Sequence, residues 1–224
     1  MRIPENNVLI DENKSVDRLS AGVFVIPDVG TIPMAFGRVI KLGEGMNNPE
    51  LENDKIPFFV NEGDFVIYNP GVAVPIEVTS KTLGANSKKK YLKLSAGECM
   101  LVLEEEDGKT VGIKRMLENY LLLKMESTTE KKASNKIYCP EYNADSSIVT
   151  GKVIMVGPGR YNFKLRKQVP CNAQVGDTVA FASVKKIELS IPVKQADGKI
   201  VKEKFYMIPD TAVEAILEDD ETLN

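Results

Sequence analysis

Histidine is absent from this 224-residue chain, and so is tryptophan. The first absence removes the Ser–His and Cys–His nucleophile pairs and the commonest nitrogen ligand for metals together. Cysteine is scarce: Cys99, Cys139 and Cys171 lie far apart with no Cys-x-x-Cys, so neither a zinc site nor a disulfide framework is expected. An odd number of scattered thiols fits a reducing compartment. Neither charge dominates, with 29 Lys and Arg against 32 Asp and Glu, which leaves no basic excess for nucleic acid or an anionic membrane. Long apolar runs are missing too; Val23–Ile26 and Leu121–Leu123 are far too short to span a bilayer. The start, Met1-Arg2-Ile3-Pro4-Glu5, has no apolar signal core and is unlike a Ser-rich transit peptide. These absences predict a cytoplasmic protein, not an enzyme, with no catalytic residues, no metal and no cofactor.

What is present is a repeat. Gly37-Arg-Val-Ile-Lys-Leu-Gly-Glu-Gly45 returns as Gly151-Lys-Val-Ile-Met-Val-Gly-Pro-Gly159, at an offset of 114. Glu62-Gly-Asp-Phe-Val-Ile-Tyr68 returns as Val175-Gly-Asp-Thr-Val-Ala-Phe181, at 113. Tyr91–Leu94 and Cys99–Glu104 match Phe205–Ile208 and Val213–Glu218, and Asn6–Ile10 matches Asn119–Leu123. Blocks that keep one order and nearly one offset indicate a duplicated domain, with residues 1–108 as the first copy, 109–117 as a linker and 118–224 as the second.

Each copy reads as all-β. Short segments rich in Val, Ile, Leu and aromatics predict strands at Val8–Ile10, Gly37–Leu42, Asp64–Tyr68, Val72–Val78, Tyr91–Leu94 and Met100–Glu104. Gly43-Glu-Gly45, Glu62-Gly-Asp64 and Asn69-Pro-Gly71 punctuate them as turns. No segment carries a long helical apolar period. Residues 211–216 could pass for a helix, but their first-copy match, Gly97–Val102, argues for a turn and a strand. Many short strands between Gly and Pro turns predict two small β-barrels in tandem.

The order of blocks resembles the GroES-type co-chaperonins: a strand, Ser-Ala-Gly with apolar residues, a polar stretch, Gly-x-Val-x-x-Val-Gly-x-Gly, Val-Gly-Asp-x-Val, a terminal strand. The sharpest local match is Leu19-Ser-Ala-Gly-Val-Phe-Val-Ile26. In that family such a segment sits in a mobile loop that docks on the chaperonin. The resemblance covers nearly the whole chain, twice, and tandem members are known among its plastid forms. It implies a GroES-like fold, a chaperonin (GroEL/Cpn60-type) ring as partner, self-association into a ring, and a capping role in protein folding. It also implies a docking set of Val23, Phe24, Val25 and Ile26 in the first loop (15–36), with Ile137, Tyr138 and Cys139 as the best equivalents in the second (127–150). Roof segments fall at 46–61 and 160–173. The second copy departs from the pattern, lacking Ser-Ala-Gly. Such drift suits a viral member in an infected bacterial host or a plastid-type member in the stroma. The rival reading is a structural ring or connector that reuses the barrel.

The residues of the first loop support docking on their own account. Four apolar side chains in a row, between chain-breaking glycines and prolines, are unusual at a soluble surface unless something covers them. Burying three of them is worth roughly 5–8 kcal/mol gross, and ordering about ten residues offsets most of it. A weak contact repeated around a ring gains by multivalency. The bland alternative is a core strand. Unpaired strand edges predict the ring seam. First and last strands of successive copies would pair, through Val8, Leu9, Ile10 and Met100, Leu101, Val102 in one copy and Leu121, Leu122, Leu123 and Ala215, Ile216, Leu217 in the other. Each chain supplies two ring positions, so closure suggests three or four chains.

Several features carry less. Gly43-x-Gly45 and Gly157-Pro158-Gly159 lack the third glycine and the helix of a dinucleotide site, and Pro158 removes a donor. The acids Glu104–Asp107 read as a solvated edge that deters strand addition, and Lys88-Lys89-Lys90 as a solvated turn. The first roof is acidic (Glu50, Glu52, Asp54) and the second basic (Arg160, Lys164, Arg166, Lys167), so neighbouring roofs either attract or carry chance charge.

Overall fold

A computed structural model describes residues 2–11, 24–25, 34–45, 55–56, 58–80, 87–125, 148–162, 164–165 and 167–218. Eight strands come first: β1 (Asn7–Asp11), β2 (Phe24–Val25), β3 (Ala35–Leu42), β4 (Phe65–Tyr68), β5 (Val74–Ser80), β6 (Ser87–Ser95), β7 (Cys99–Glu106) and β8 (Lys109–Met116). Eight more follow: β9 (Tyr120–Lys124), β10 (Ile148–Val156), β11 (Arg160–Asn162), β12 (Lys167–Val169), β13 (Thr178–Ala182), β14 (Ile187–Lys194), β15 (Ile200–Pro209) and β16 (Val213–Leu217). They form two seven-stranded sheets, β5-β6-β1-β3-β4-β7-β8 and β16-β13-β10-β9-β15-β14-β2, with β11–β12 a separate hairpin. Read from β5 in one and β14 in the other, six strands keep the same order. The duplication seen in the sequence is therefore a duplication of topology, and the all-β tandem fold is as expected.

The seventh strand of each sheet crosses between copies. β8, which leads into the second copy, adds to β7 of the first; β2, from the first copy's loop, adds to β14 of the second. The sheets bury both faces where they meet, so their strands are continuous apolar runs instead of alternating ones. In Phe65-Val-Ile-Tyr68 all four residues are buried. Val66 and Tyr68 enter the first copy's own core with Val8, Ile10, Cys99 and Val102. Phe65 and Ile67 turn the other way, into a second cluster with Met100, Leu101 and Leu103. That cluster also holds Met116, Leu122, Leu189, Ile191, Phe205 and Met207 from β8 and the second copy. Leu121 and Leu123 face the second copy's own core while Leu122 faces the shared one. Period-2 geometry thus sorts three consecutive leucines between two cores.

The paired glycines solve a backbone problem that both copies share. Glu5 and Glu118 adopt left-handed φ of 51° and 48° just before β1 and β9. Their carbonyls accept from the Gly45 and Gly159 N–H groups. Gly43 and Gly157 let the chain pass close by: a Cβ would lie 2.1 Å from the Glu5 oxygen in one copy and 2.2 Å from the Glu118 oxygen in the other. The motif is a strand clamp built from backbone contacts.

Four expectations change. Residues 109–116 are no loose linker but strand β8, folded back on β7 by a turn at Asp107–Gly108 with φ of 49° and 75°. Lys88–Lys90 are not a turn; they lie in β6 opposite β5, with solvated side chains. The Glu104–Asp107 acids do not deter strand addition, since Glu105 binds Arg38 bidentately at 2.8 and 2.9 Å and Glu106 reaches Lys194 at 2.5 Å while β8 pairs alongside. Val8–Ile10 and Leu121–Leu123 are not edges. β1 lies between β3 and β6, and β9 between β10 and β15, so their backbone groups are used inside the sheets. By contrast, residues 210–217 form a short 3-10 turn and then β16, as the first-copy match required.

The clamp yields a direct test. Gly43→Ala and Gly157→Ala should each destabilise the fold by about 1–3 kcal/mol by forcing backbone apart. Gly63→Ala has open space around its Cβ and strains only its φ of 90°, so it should cost about 1 kcal/mol. Denaturant midpoints measure all three.

Candidate functional site

The sheet edges and the loop strand are the candidate surfaces, since an edge strand offers unused backbone groups. β7 illustrates how an edge is covered. β8 pairs with it antiparallel from Glu106↔Lys109 to Leu101↔Met116. A side chain locks the seam: the Arg115 guanidinium donates to the Asp64 carboxylate and, through Nε and Nη2 at 3.4 and 3.3 Å, to the Phe59 carbonyl. Asp64 is 8% exposed and also accepts from the Asn61 N–H at 2.8 Å, so it is fixed before Arg115 arrives.

The same edge in the second copy is β16, which pairs with β13 alone among the described residues. Its Ile216 is 43% exposed, whereas Val102, at the equivalent register and paired alongside β8, is fully buried in the first copy's own core. Asp177 repeats Asp64 and holds the Gln174 N–H at 2.8 Å as Asp64 holds Asn61. Arg2, one repeat before Arg115, rests on Glu44 with Nη2 2.9 Å from Oε2. Sequence reasoning missed Arg115, Asp64 and their counterparts as seam residues. Their signal was visible in the constant offset, but a lone Arg next to an expected linker gave no reason to stop there.

Of the docking residues, Phe24 and Val25 form β2, antiparallel to β14 with Val25 opposite Leu189 and Phe24 opposite Ser190. Val23, Ile26, Ile137, Tyr138 and Cys139 lie outside the described residues, as do Glu50, Glu52, Asp54 and Arg166 of the roofs. Arg160 and Lys164 of the second roof line a cleft between the copies together with Asn6, Ser95, Gly97 and Glu118.

Comparison with protein families then decides the identity. The family described as chaperonin 10 Kd subunit matches twice, over residues 2–102 and 113–214. The chain belongs to the chaperonin 10 Kd subunit family. No curated protein matches the chain.

Members of this family are co-chaperonins, not enzymes, and the family implies a chaperonin partner. The two described thiols of this co-chaperonin-family chain, Cys99 and Cys171, are both free. Burial, reinforced by Glu118, Glu98 and Asp64, pushes the Cys99 thiol far up. Burial and then Asp210 raise Cys171 to about 11. Both are therefore protonated packing groups at neutral pH.

One titratable group does bear on the junction. Burial raises the Glu118 carboxyl above the ordinary glutamate value; Arg160 opposes this and Glu98 adds to it. A carboxyl whose folded pKa is raised binds its proton more tightly folded than unfolded. Its contribution is therefore most favourable at acid pH and is lost as pH rises through the folded value. Glu118→Gln should raise the thermal midpoint at pH 7 and lose that advantage as the pH falls below the ordinary glutamate range. A variant that is less stable than the parent at pH 7 would contradict the burial argument.

Proposed function

We propose that this chain is a co-chaperonin that caps a chaperonin ring, docking through Val23–Ile26 and assembling with copies of itself into a ring of three or four chains. The observation that carries the reading is the bare β16 edge. Within the chain, the strand leading into the second copy covers β7; at β16 the same edge has no second strand among the described residues, and Asp177 repeats Asp64 beside it. The segment Arg2–Pro4 of another chain, one repeat before Arg115–Leu117, is the natural occupant. Each junction then repeats the last, and a closed ring of whole chains gives every β16 a partner strand.

Docking follows from the first loop. Among the described residues its Phe24–Val25 backbone meets β14 through two residue pairs, so a partner groove competes with a short strand. Leaving β14 and burying the apolar side chains on the chaperonin exchanges one set of contacts for another. The net affinity of each loop is small, and several loops in a ring multiply it. Such a lid comes on and off without any one strong contact. The second loop, with Ile137, Tyr138 and Cys139 among Lys131, Lys132, Lys136 and Glu141, offers less apolar area and contributes less.

Two measurements test this. Phe24→Asp places a charge in an apolar contact and should abolish co-elution with a chaperonin in the presence of nucleotide, while circular dichroism stays that of a β protein. Ile137→Asp should cost less. Undiminished binding by Phe24→Asp would remove the docking role, and a parent chain that ignores the chaperonin would favour the structural-ring reading. Native mass spectrometry at low salt should give three or four chains; a stable seven-chain ring would refute the paired-copy assembly.

A further inference from the structure

The seam inside the chain and the seam between chains present different chemistry at the same positions. Strand register makes the comparison residue by residue. In the first copy Phe65 pairs with Leu103 and Ile67 with Leu101, and Met100 is the extra residue of a bulge before Cys99. In the second, Thr178 pairs with Leu217 and Ala180 with Ala215, and Glu214 is the extra residue of the same bulge before Val213. Phe65, Ile67, Met100 and Leu101 all lie in the shared core between the copies. Their counterparts on the outer face of the second copy are Thr178, Ala180, Glu214 and Ala215, of which Glu214 and Ala215 are exposed.

The opposite wall changes in a matching way. Met155, opposite Leu122, and Met207, opposite Ile187, pack into the shared core. The same registers in the first copy hold Lys41, opposite Leu9, and Lys93, opposite Val74. Thus one wall trades a methionine for a glutamate and the other trades methionines for lysines. Lys41 has an interaction of its own within the chain, so Lys93 carries the comparison. Val74 beside it is 52% exposed, whereas its counterpart Ile187 is half-buried against the shared core.

We infer that a second copy of this chain docks on these outer faces through an electrostatic seam, Glu214 of one chain facing Lys93 of the next, so that chains separate from one another in salt while the two copies within a chain stay joined. This rests on the self-association proposed above and specifies its chemistry. The inner seam is held by apolar area, which salt does not weaken. The outer one has lost much of that area through Thr178, Ala180 and Ala215 and substitutes complementary charge, which ions screen within about 10 Å at 0.1 M. Charge complementarity also rejects the wrong pairing: two Glu214 faces, or two Lys93 faces, repel.

The test is sedimentation velocity of the full chain at low and at molar salt. The parent should assemble at low salt and fall to single folded chains at high salt. Glu214→Lys should weaken assembly at low salt by about tenfold or more, and Glu214→Lys combined with Lys93→Glu should restore it. Glu214→Met with Lys93→Met and Lys41→Met, which rebuilds the inner seam's residues, should give an oligomer that survives molar salt. Circular dichroism checks that each variant is folded. An oligomer indifferent to salt, or to the single charge reversal, overturns the electrostatic seam while leaving self-association intact. A parent that remains a single chain at low salt and high concentration overturns both.

Discussion

The addition of β8 to β7 is the interaction on which the rest depends. It covers the β7 edge of the first sheet with the strand that leads straight into the second, and it brings Met116 and Arg115 to the first copy while β9 starts the second. Backbone pairing alone would leave the register free to slip by steps of two. Arg115 on Asp64, with Asp64 already tied to its own turn, selects one register. The shared core then closes over Phe65, Leu101, Leu122, Leu189 and Met207. Burial of this kind contributes roughly 25 cal/mol per Å², so the ion pair sets position and the apolar area supplies the stability.

Much of this was legible in the chain. The fold class followed from short β-rich segments and turn residues, and each of the six predicted first-copy strands overlaps an observed one. The repeat offset carried topology from one copy to the other. Residues 211–216 show why: their own pattern is ambiguous between helix and strand, and the match to Gly97–Val102 resolved it. The glycine pairs stand out in the sequence, but their use, to let a left-handed Glu pass close by, depends on tertiary contact that no local pattern encodes.

The misplaced features share one cause. Which strand is an edge depends on sheet order, and sheet order is not written in a segment's composition. Val8–Ile10 and Met100–Val102 look alike as apolar runs, yet β1 is central and β7 is covered only because β8 follows. Lys-Thr-Val-Gly-Ile-Lys-Arg reads as a linker because it falls between the matched blocks of the two copies, yet its charged residues alternate with apolar ones. The same alternation is that of a strand with one face on a core. The acids at the end of β7 looked like guards of an edge; with Arg38 and Lys194 opposite, they are partners instead.

A tandem member of the chaperonin 10 Kd subunit family thus has one seam made during folding, and the second, between chains, is the one we propose. The central claim is that the inner seam makes the two copies a single folding unit. Scanning calorimetry of the chain, at dilution and high salt so that chains are separate, tests it most directly. The account predicts one transition, with the calorimetric and van't Hoff enthalpies equal for the whole chain. Two resolved transitions, one for each copy, would contradict it.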